Sequence, residues 1–474
     1  MDLDLAYLPA TEALARFRDR SLSPVELAQA LIDRAEQVEP TVNALCVRYF
    51  DQALAQAKLA EARYAGHGEP PRPLEGICVG IKDEMPIEGQ PMSGGSLVYQ
   101  DLVADHTDPM GARLIEAGAI LHARTTAPEF SCAGFTHSKL WGITRNPWNP
   151  QFAVGGSSGG AGASLASGTS TLATGSDIGG SIRIPAGWNG VVGFKPPFGR
   201  VPQMPPWNLD QYCHQGPMAR TVADAALFEN VVSGPHPLDP VAIAPQLVLP
   251  QHFESIQGLR VAYCLSPGGW PIDPDVAANT EAAALALADA GAAVEQIEMS
   301  PLWGSENVME LAMAHFGAFM GALIASEVAE HHDLVMDYSV DLAERATRSG
   351  GKSFAEGILG EVELHADLAR IHARYDLLVV ATNVCRGLVA GDSYLGRAPQ
   401  IGGVTPEFYL TACLTTAFNI CSRNPVLAVP SGFADNGVPT GVQLVGRPYD
   451  DVTAFRAGAA LEQVRPWSGT RPMA

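Results

Sequence analysis

Between Gly155 and Pro185 the chain reads GGSSGGAGASLASGTSTLATGSDIGGSIRIP, a density of glycine and serine that costs backbone entropy unless something must approach closely. Three readings compete for such a tract. Phosphate cradling asks for G-x-x-x-x-G-K-[ST], and no lysine follows any of these glycines, which removes the P-loop. A nucleophile elbow, G-x-S-x-G, is matched formally by Gly155-Gly156-Ser157-Ser158-Gly159, yet five residues inside a Gly/Ser tract match easily by chance. A flexible linker is excluded by the apolar, helix-favouring residues between the two tracts and by Ile178, Ile182 and Ile184 nearby.

A fourth reading accounts for more residues. The run Gly155 to Gly160, followed by Gly175-Ser176-Asp177-Ile178-Gly179-Gly180-Ser181-Ile182-Arg183-Ile184-Pro185 and preceded by Gly80-Ile81-Lys82-Asp83, closely resembles the amidase signature family. Lys82 and Ser157 stand 75 residues apart and Ser157 and Ser181 stand 24 apart, spacings that match that family's pattern. The resemblance continues through GITRNPWNP (142–150), Gly193-Phe194-Lys195-Pro196, GPMARTVAD (216–224) and the tail from Asn424-Pro425 to Gln443. Residues 300–380 are the exception. Cys78 stands where the family commonly has Pro, and Ala381-Thr382 where Pro-Thr is commoner.

The resemblance implies a catalytic set in which Ser181 attacks, Ser157 in a cis peptide relays the proton and Lys82 is the base. Amide hydrolysis needs such help, because an amide is a poor electrophile with a poor leaving group. The expected oxyanion hole is the backbone N–H groups of Ile178, Gly179 and Gly180, with that of Ser181 as a further donor. No histidine lies near either Ser tract, His137 and His214 being the closest in sequence. A lysine, with an ordinary pKa near ~10.4, accepts a proton near neutrality only where burial or neighbouring positive charge favours its neutral form. Lys82 must therefore sit in a dry site. Asp177 and Arg183, which flank the proposed nucleophile, are expected to form a structural ion pair; Ser158 is a supporting hydrogen-bonder, and Gln443 belongs to the scaffold.

For the substrate pocket the candidates are Trp207, Tyr212, Phe316, Phe319 and Met320, with ordinary core packing as the plain alternative for the last three. An apolar pocket favours a small amide, anilide or carbamate over glutamine, and the same acyl-enzyme chemistry extends to esters. Two other functions share the scaffold: the glutaminase/amidase subunit of a tRNA-dependent amidotransferase, and a catalytically silent binding protein.

The elements that must position these residues are punctuated clearly. Ser23-Pro24-Val25-Glu26 has the form of a capping box and opens a helix with Leu27, Leu31, Ala35 and Val38 at helical spacing. Gly76 to Ile81 reads as a buried strand that ends at Lys82. Asp108-Pro109 starts a helix that Gly118 stops, and Ala119 to His122 then reads as a strand; Asp273-Pro274, Gly291 and Ala293 to Ile297 repeat the pattern. Leu311 to Ala325 is apolar but falls short of a membrane span, and predicts a buried helix or pocket wall. Such alternation implies layered α/β architecture. The expected fold is one large α/β domain over 1–474, with a mixed, mostly parallel twisted β-sheet covered by helices on both faces, as the family resemblance implies. It divides into an N-terminal helical layer (1–70), a signature core (75–225) and a variable, pocket-lining helical region (300–380).

Composition narrows the partners. The 474 residues are 47% hydrophobic and 17% charged, enough to bury a large core. Thirty Lys and Arg against 51 Asp and Glu give a net charge of −21, which repels nucleic-acid phosphates and anionic membranes. The eight cysteines form no C-x-x-C pair, and no compact ligand cluster marks a metal site, so neither metal nor other cofactor is expected. The start Met1-Asp2-Leu3-Asp4 lacks the form of a secretory signal, and the expected location is cytoplasmic. Sequence alone leaves monomer and homodimer open.

Overall fold

The computed structural model describes residues 3–348 and 352–472; Met1, Asp2 and residues 349–351 of the 300–380 region lie outside the described residues. The local start signals act as expected. Ser23 accepts from Val25 N at 3.0 Å while its own N–H donates to Glu26 at 2.8 Å, and the helix runs Pro24–Val42 with Leu27, Leu31, Ala35 and Val38 buried. Asp108 caps the helix Pro109–Glu116 through Met110 N at 2.8 Å. Asp273 does not cap its helix, Pro274–Asp289: its carboxylate instead accepts from Arg386 N at 3.1 Å and Gly402 N at 2.8 Å, so tertiary contacts use the oxygens that a cap would need.

Among the described residues eleven strands form one sheet: β1 (Leu45–Arg48), β2 (Cys78–Lys82), β3 (Ile120–Thr125), β4 (Leu172–Asp177), β5 (Val192–Lys195), β6 (His214–Ala219), β7 (Arg260–Tyr263), β8 (Ala293–Gln296), β9 (Leu377–Ala381), β10 (Val426–Phe433) and β11 (Pro439–Gly446). Their order is β1-β3-β2-β4-β6-β5-β10-β11-β9-β7-β8. The sheet is mixed, as expected, and its parallel pairings occupy two blocks. β2 pairs parallel with β3 and β4, and β7 with β8 and β9. The remaining six contacts, including the whole centre from β4 to β9, are antiparallel. Helical crossovers explain the parallel blocks: Pro109–Glu116 links β2 to β3, and Pro274–Asp289 links β7 to β8.

Alternation along the strands sends side chains into two cores. Leu377 and Val379 of β9 join Ala283 and Leu287 of the helix Pro274–Asp289 and Phe455 of the helix Asp451–Val464. Leu378 and Val380 face the other way, with Leu364 and Leu368 of the helix Phe354–Arg374. Helices thus cover both faces. The apolar segment at Leu311 to Ala325 forms parts of two helices, Ser305–Ala318 and Met320–His331, bent by 57° at Phe319. Among the described residues no single helix is long and apolar enough to cross a membrane; this bent pair is so only in combination, and Val308, Leu311, Ala312, Phe316 and Ile324 within it are packed into the second core.

Candidate active site

Lys82 ends β2 inside the sheet, where its backbone N–H donates to Thr174 Oγ1 on β4 at 2.9 Å. Its side chain is 1% exposed, and Nζ reaches Ser157 Oγ at 2.7 Å, Ser176 Oγ at 2.7 Å and Glu84 Oε1 at 3.0 Å. Ser157 stands just before the helix Gly159–Ser167, and the peptide bond between Gly156 and Ser157 is cis. That helix packs too closely for a side chain at Gly160: a Cβ there would lie 2.3 Å from Thr126 N. Ser158 holds the adjoining strand, accepting from Ser176 N and donating to Ser176 O, each at 3.3 Å.

The loop after β4 carries Ser181. It is fixed from below by a fully buried ion pair in which Arg183 Nε and Nη2 each meet Asp177 at 2.9 Å, and Arg183 also donates to Thr415 O, Gln443 and Asn419. Burial alone would raise the Asp177 pKa, but Arg183 and Asn419 bring it well below the carboxylate range. The pair thus ties the loop to the end of β4 and to the segment carrying Thr415 and Asn419. Gln443 closes the same network by donating to Ala381 O at 3.0 Å.

Asp177 alters the expected oxyanion hole. Gly180 N–H donates to Asp177 Oδ1 at 2.8 Å, because the carboxylate is the nearer and stronger acceptor, so this N–H is already engaged. The N–H groups of Ile178, Gly179 and Ser181 have no acceptor among the described residues. The carbonyl of Gly179 is pinned by Thr415 Oγ1 at 2.8 Å and Thr416 Oγ1 at 3.0 Å. Available donors are thus those of Ile178, Gly179 and Ser181.

Ser181, Ile178 and Gly179 line a small cavity of about 40 Å³. Phe316 and Met320 line it, joined by Ile184, Leu342 and Leu410. The Phe316 ring lies over Gly179, 3.3 Å from where a Cβ would stand. The other three pocket candidates lie elsewhere. Tyr212 is fully buried behind the wall, stacked on His315 at 3.7 Å, edge-on to Phe316, with its hydroxyl donating to Glu361 at 2.7 Å. Trp207 and Phe319 pack against each other at 5.2 Å outside the cavity, and Trp207 is 38% exposed. Aromatic type alone does not say which face of a packed segment meets the void.

Electrostatics separate the base candidates. Burial lowers the Lys82 pKa, and the opposing pull of Glu84, Asp177 and Cys213 does not restore it. His214 is buried against the carbonyl of Tyr212 at 2.8 Å and pushed down to about 3, while His137 stacks on Phe135 and contacts Ser393. Cys132 also lines the cavity, but burial pushes its thiol up to about 12, which leaves it a neutral wall. The structure joins Lys82 directly to Ser157. Ser181 is tied to that loop by Ser158 N–H donating to Ser181 O at 3.1 Å, and among the described residues no hydrogen bond links the hydroxyls of Ser157 and Ser181.

The family model for Amidase matches residues 26–455. The chain belongs to the amidase family. As an amidase signature hydrolase it acts on carbon–nitrogen bonds. The chain is 32% identical to an acylamidase of Rhodococcus erythropolis, over 99% of this chain and 98% of the relative. It is 30% identical to a glutamyl-tRNA(Gln) amidotransferase subunit of Thermosynechococcus vestitus, over 95% and 96%. Among solved structures, a bacterial aryl acylamidase of the amidase signature family superposes with a TM-score of 0.89 at 28% identity, covering 98% of this chain and 97% of that one. Two contacts of this amidase were not foreseen from its sequence: Glu84 and Ser176 on Lys82. A signal existed in Lys82-Asp83-Glu84, since a lysine expected in a dry site raises the question of which carboxylate accompanies it.

Proposed function

We propose that this amidase hydrolyses small amides, anilides or carbamates bearing an apolar group, through an acyl-enzyme on Ser181. The observation that carries the reading is the buried 2.7 Å contact of Lys82 Nζ with Ser157, beside a cavity lined by Ser181 and mostly apolar walls. Neutral Lys82 accepts the Ser157 proton while Ser157 takes that of Ser181, and Ser181 Oγ bonds to the carbonyl carbon. The hydroxyl-to-hydroxyl contact that this needs closes when substrate docks, as catalytic hydrogen bonds commonly tighten in the complex. The carbonyl oxygen, now negative, meets the N–H groups of Ile178, Gly179 and Ser181. The Lys82 ammonium then returns the proton through Ser157 to the leaving nitrogen, and the C–N bond breaks. Water completes the cycle along the same path in reverse.

The cavity lining supports apolar substrates over glutamine. Among its described residues none is charged, so the α-ammonium and α-carboxylate of glutamine would be buried without partners. The test is a panel of aryl amides, aliphatic amides, aryl carbamates and glutamine with the purified chain, alongside Ser181→Ala and Lys82→Ala. We expect turnover of the aryl substrates, loss of at least about 1,000-fold in Ser181→Ala and Lys82→Ala, and no glutaminase activity. Glutamine as the best substrate, or activity retained in Ser181→Ala, contradicts the reading.

A further inference from the structure

Lys82 Nζ has more partners than a proton relay requires. Ser157 accounts for one; Ser176 and the Glu84 carboxylate account for two more. Glu84 lies two residues beyond β2, in the turn that follows it. Its carboxylate also accepts from the Ser176 hydroxyl and is faced by that of Ser131, a cavity residue. Its side chain is about 30% exposed whereas that of Lys82 is 1% exposed, so the acid spans from solvent to the buried amine.

A proton arriving at Lys82 creates an ammonium in a place that burial disfavours. Among the described residues, the amine is faced by Glu84 from its own turn, Asp177 from the end of β4 and Cys213 from the segment before β6. Asp177 is held by Arg183 and Asn419, and burial keeps the Cys213 thiol neutral. Glu84 is the carboxylate in direct contact. We propose that Glu84 is a positioning residue, holding Lys82 Nζ against Ser157 and stabilising the ammonium that forms as Ser181 attacks. This inference rests on the reading of Lys82 as the base.

The carboxylate has two opposed effects. It holds more of the resting lysine protonated, which moves the onset of activity to higher pH. It also makes the amine a stronger base and lowers the energy of the ammonium formed during attack. Removing the charge should reverse both. The experiment is the pH dependence of kcat/KM on an aryl amide for the wild type, Glu84→Gln and Glu84→Asp, with Lys82→Ala and Ser181→Ala run alongside. In Glu84→Gln the acid limb is expected to move down by about 1 to 2 pH units, as loss of an adjacent opposite charge dictates, and the plateau to fall by roughly tenfold or more. Glu84→Asp retains the charge one methylene further back, so its limb should shift less. A lower plateau with the acid limb unmoved means a structural role only and overturns the proposal, as does a wild-type profile. Should Glu84→Gln fail to fold by circular dichroism, Glu84→Asp decides: a downward limb supports the proposal and an unshifted one rejects it. Appreciable activity in Lys82→Ala removes the base reading itself; inactive Lys82→Ala with an unmoved Glu84→Gln limb removes only the role of Glu84.

Discussion

At the scale of single residues, the loop before Ser181 shows how narrow the tolerance is. Gly180 adopts φ +122°, and a Cβ there would stand 1.9 Å from Thr415 Oγ1, the hydroxyl that pins the Gly179 carbonyl. Gly180→Ala therefore has to displace Thr415, release Gly179 and turn the neighbouring N–H donors away from the place where negative charge develops. The expected result is a fall in kcat of about a hundredfold or more with KM little changed, in a protein that retains its far-UV spectrum. Steady-state kinetics check it; an unchanged kcat would show that the loop is not the anion-stabilising element. Ser157→Ala belongs to the same scale. It removes the relay but leaves Lys82 and Ser181 in place, so its loss should be smaller than that of Ser181→Ala.

Among the elements, the broken helix pair Ser305–Ala318 and Met320–His331 supplies Phe316 and Met320 to the apolar wall, and here legibility from sequence divides. Start signals that act within a turn, at Ser23 and Asp108, mark helices that begin where expected, because the capping oxygen and its N–H partners lie within three residues of one another. Lys82, Ser157 and Ser181 were expected together from the family resemblance; the structure brings Lys82 against Ser157. Strand order was not legible, since it depends on which edges meet after the crossovers. The engagement of Gly180 N–H by Asp177, and the burial of Tyr212 behind Phe316 rather than in the cavity, arise from contacts made only in three dimensions. The wall itself is testable. Phe316 lines the cavity above Gly179 and is 5% exposed, so Phe316→Ala should enlarge the space beside Ser181 at a cost of roughly 3 kcal/mol in stability. Bulkier acyl groups should gain in relative kcat/KM over acetyl. A specificity order identical to wild type would place the acyl group elsewhere.

For the whole molecule, the question is how a chain of net charge −21 responds to pH when lysines are buried at its centre. Lys195 ends β5, is fully buried, and donates to Asn424 O at 2.9 Å and Ser422 O at 3.3 Å. Burial, reinforced by Arg183, pushes its pKa down to about 7. In the unfolded chain it returns to about 10.4, so between those values the unfolded state holds a proton that the folded state has shed. This group therefore contributes stability that rises with pH from about 7 and levels off above about 10. Buried tyrosines and cysteines work against it in the upper part of that window, because their folded forms retain protons that the unfolded chain loses, and the growing negative charge adds repulsion. The wild-type curve alone is consequently a sum of opposing slopes. Subtracting the curve of Lys195→Met isolates the lysine, since the other groups remain in both proteins. Denaturant titrations at about pH 7, 8.5 and 10 should give a wild-type minus variant difference that grows with pH, at most about 1.4 kcal/mol per unit for one proton. A difference that stays constant would mean that Lys195 keeps its charge in the folded protein, held as an ammonium by the carbonyls of Ser422 and Asn424.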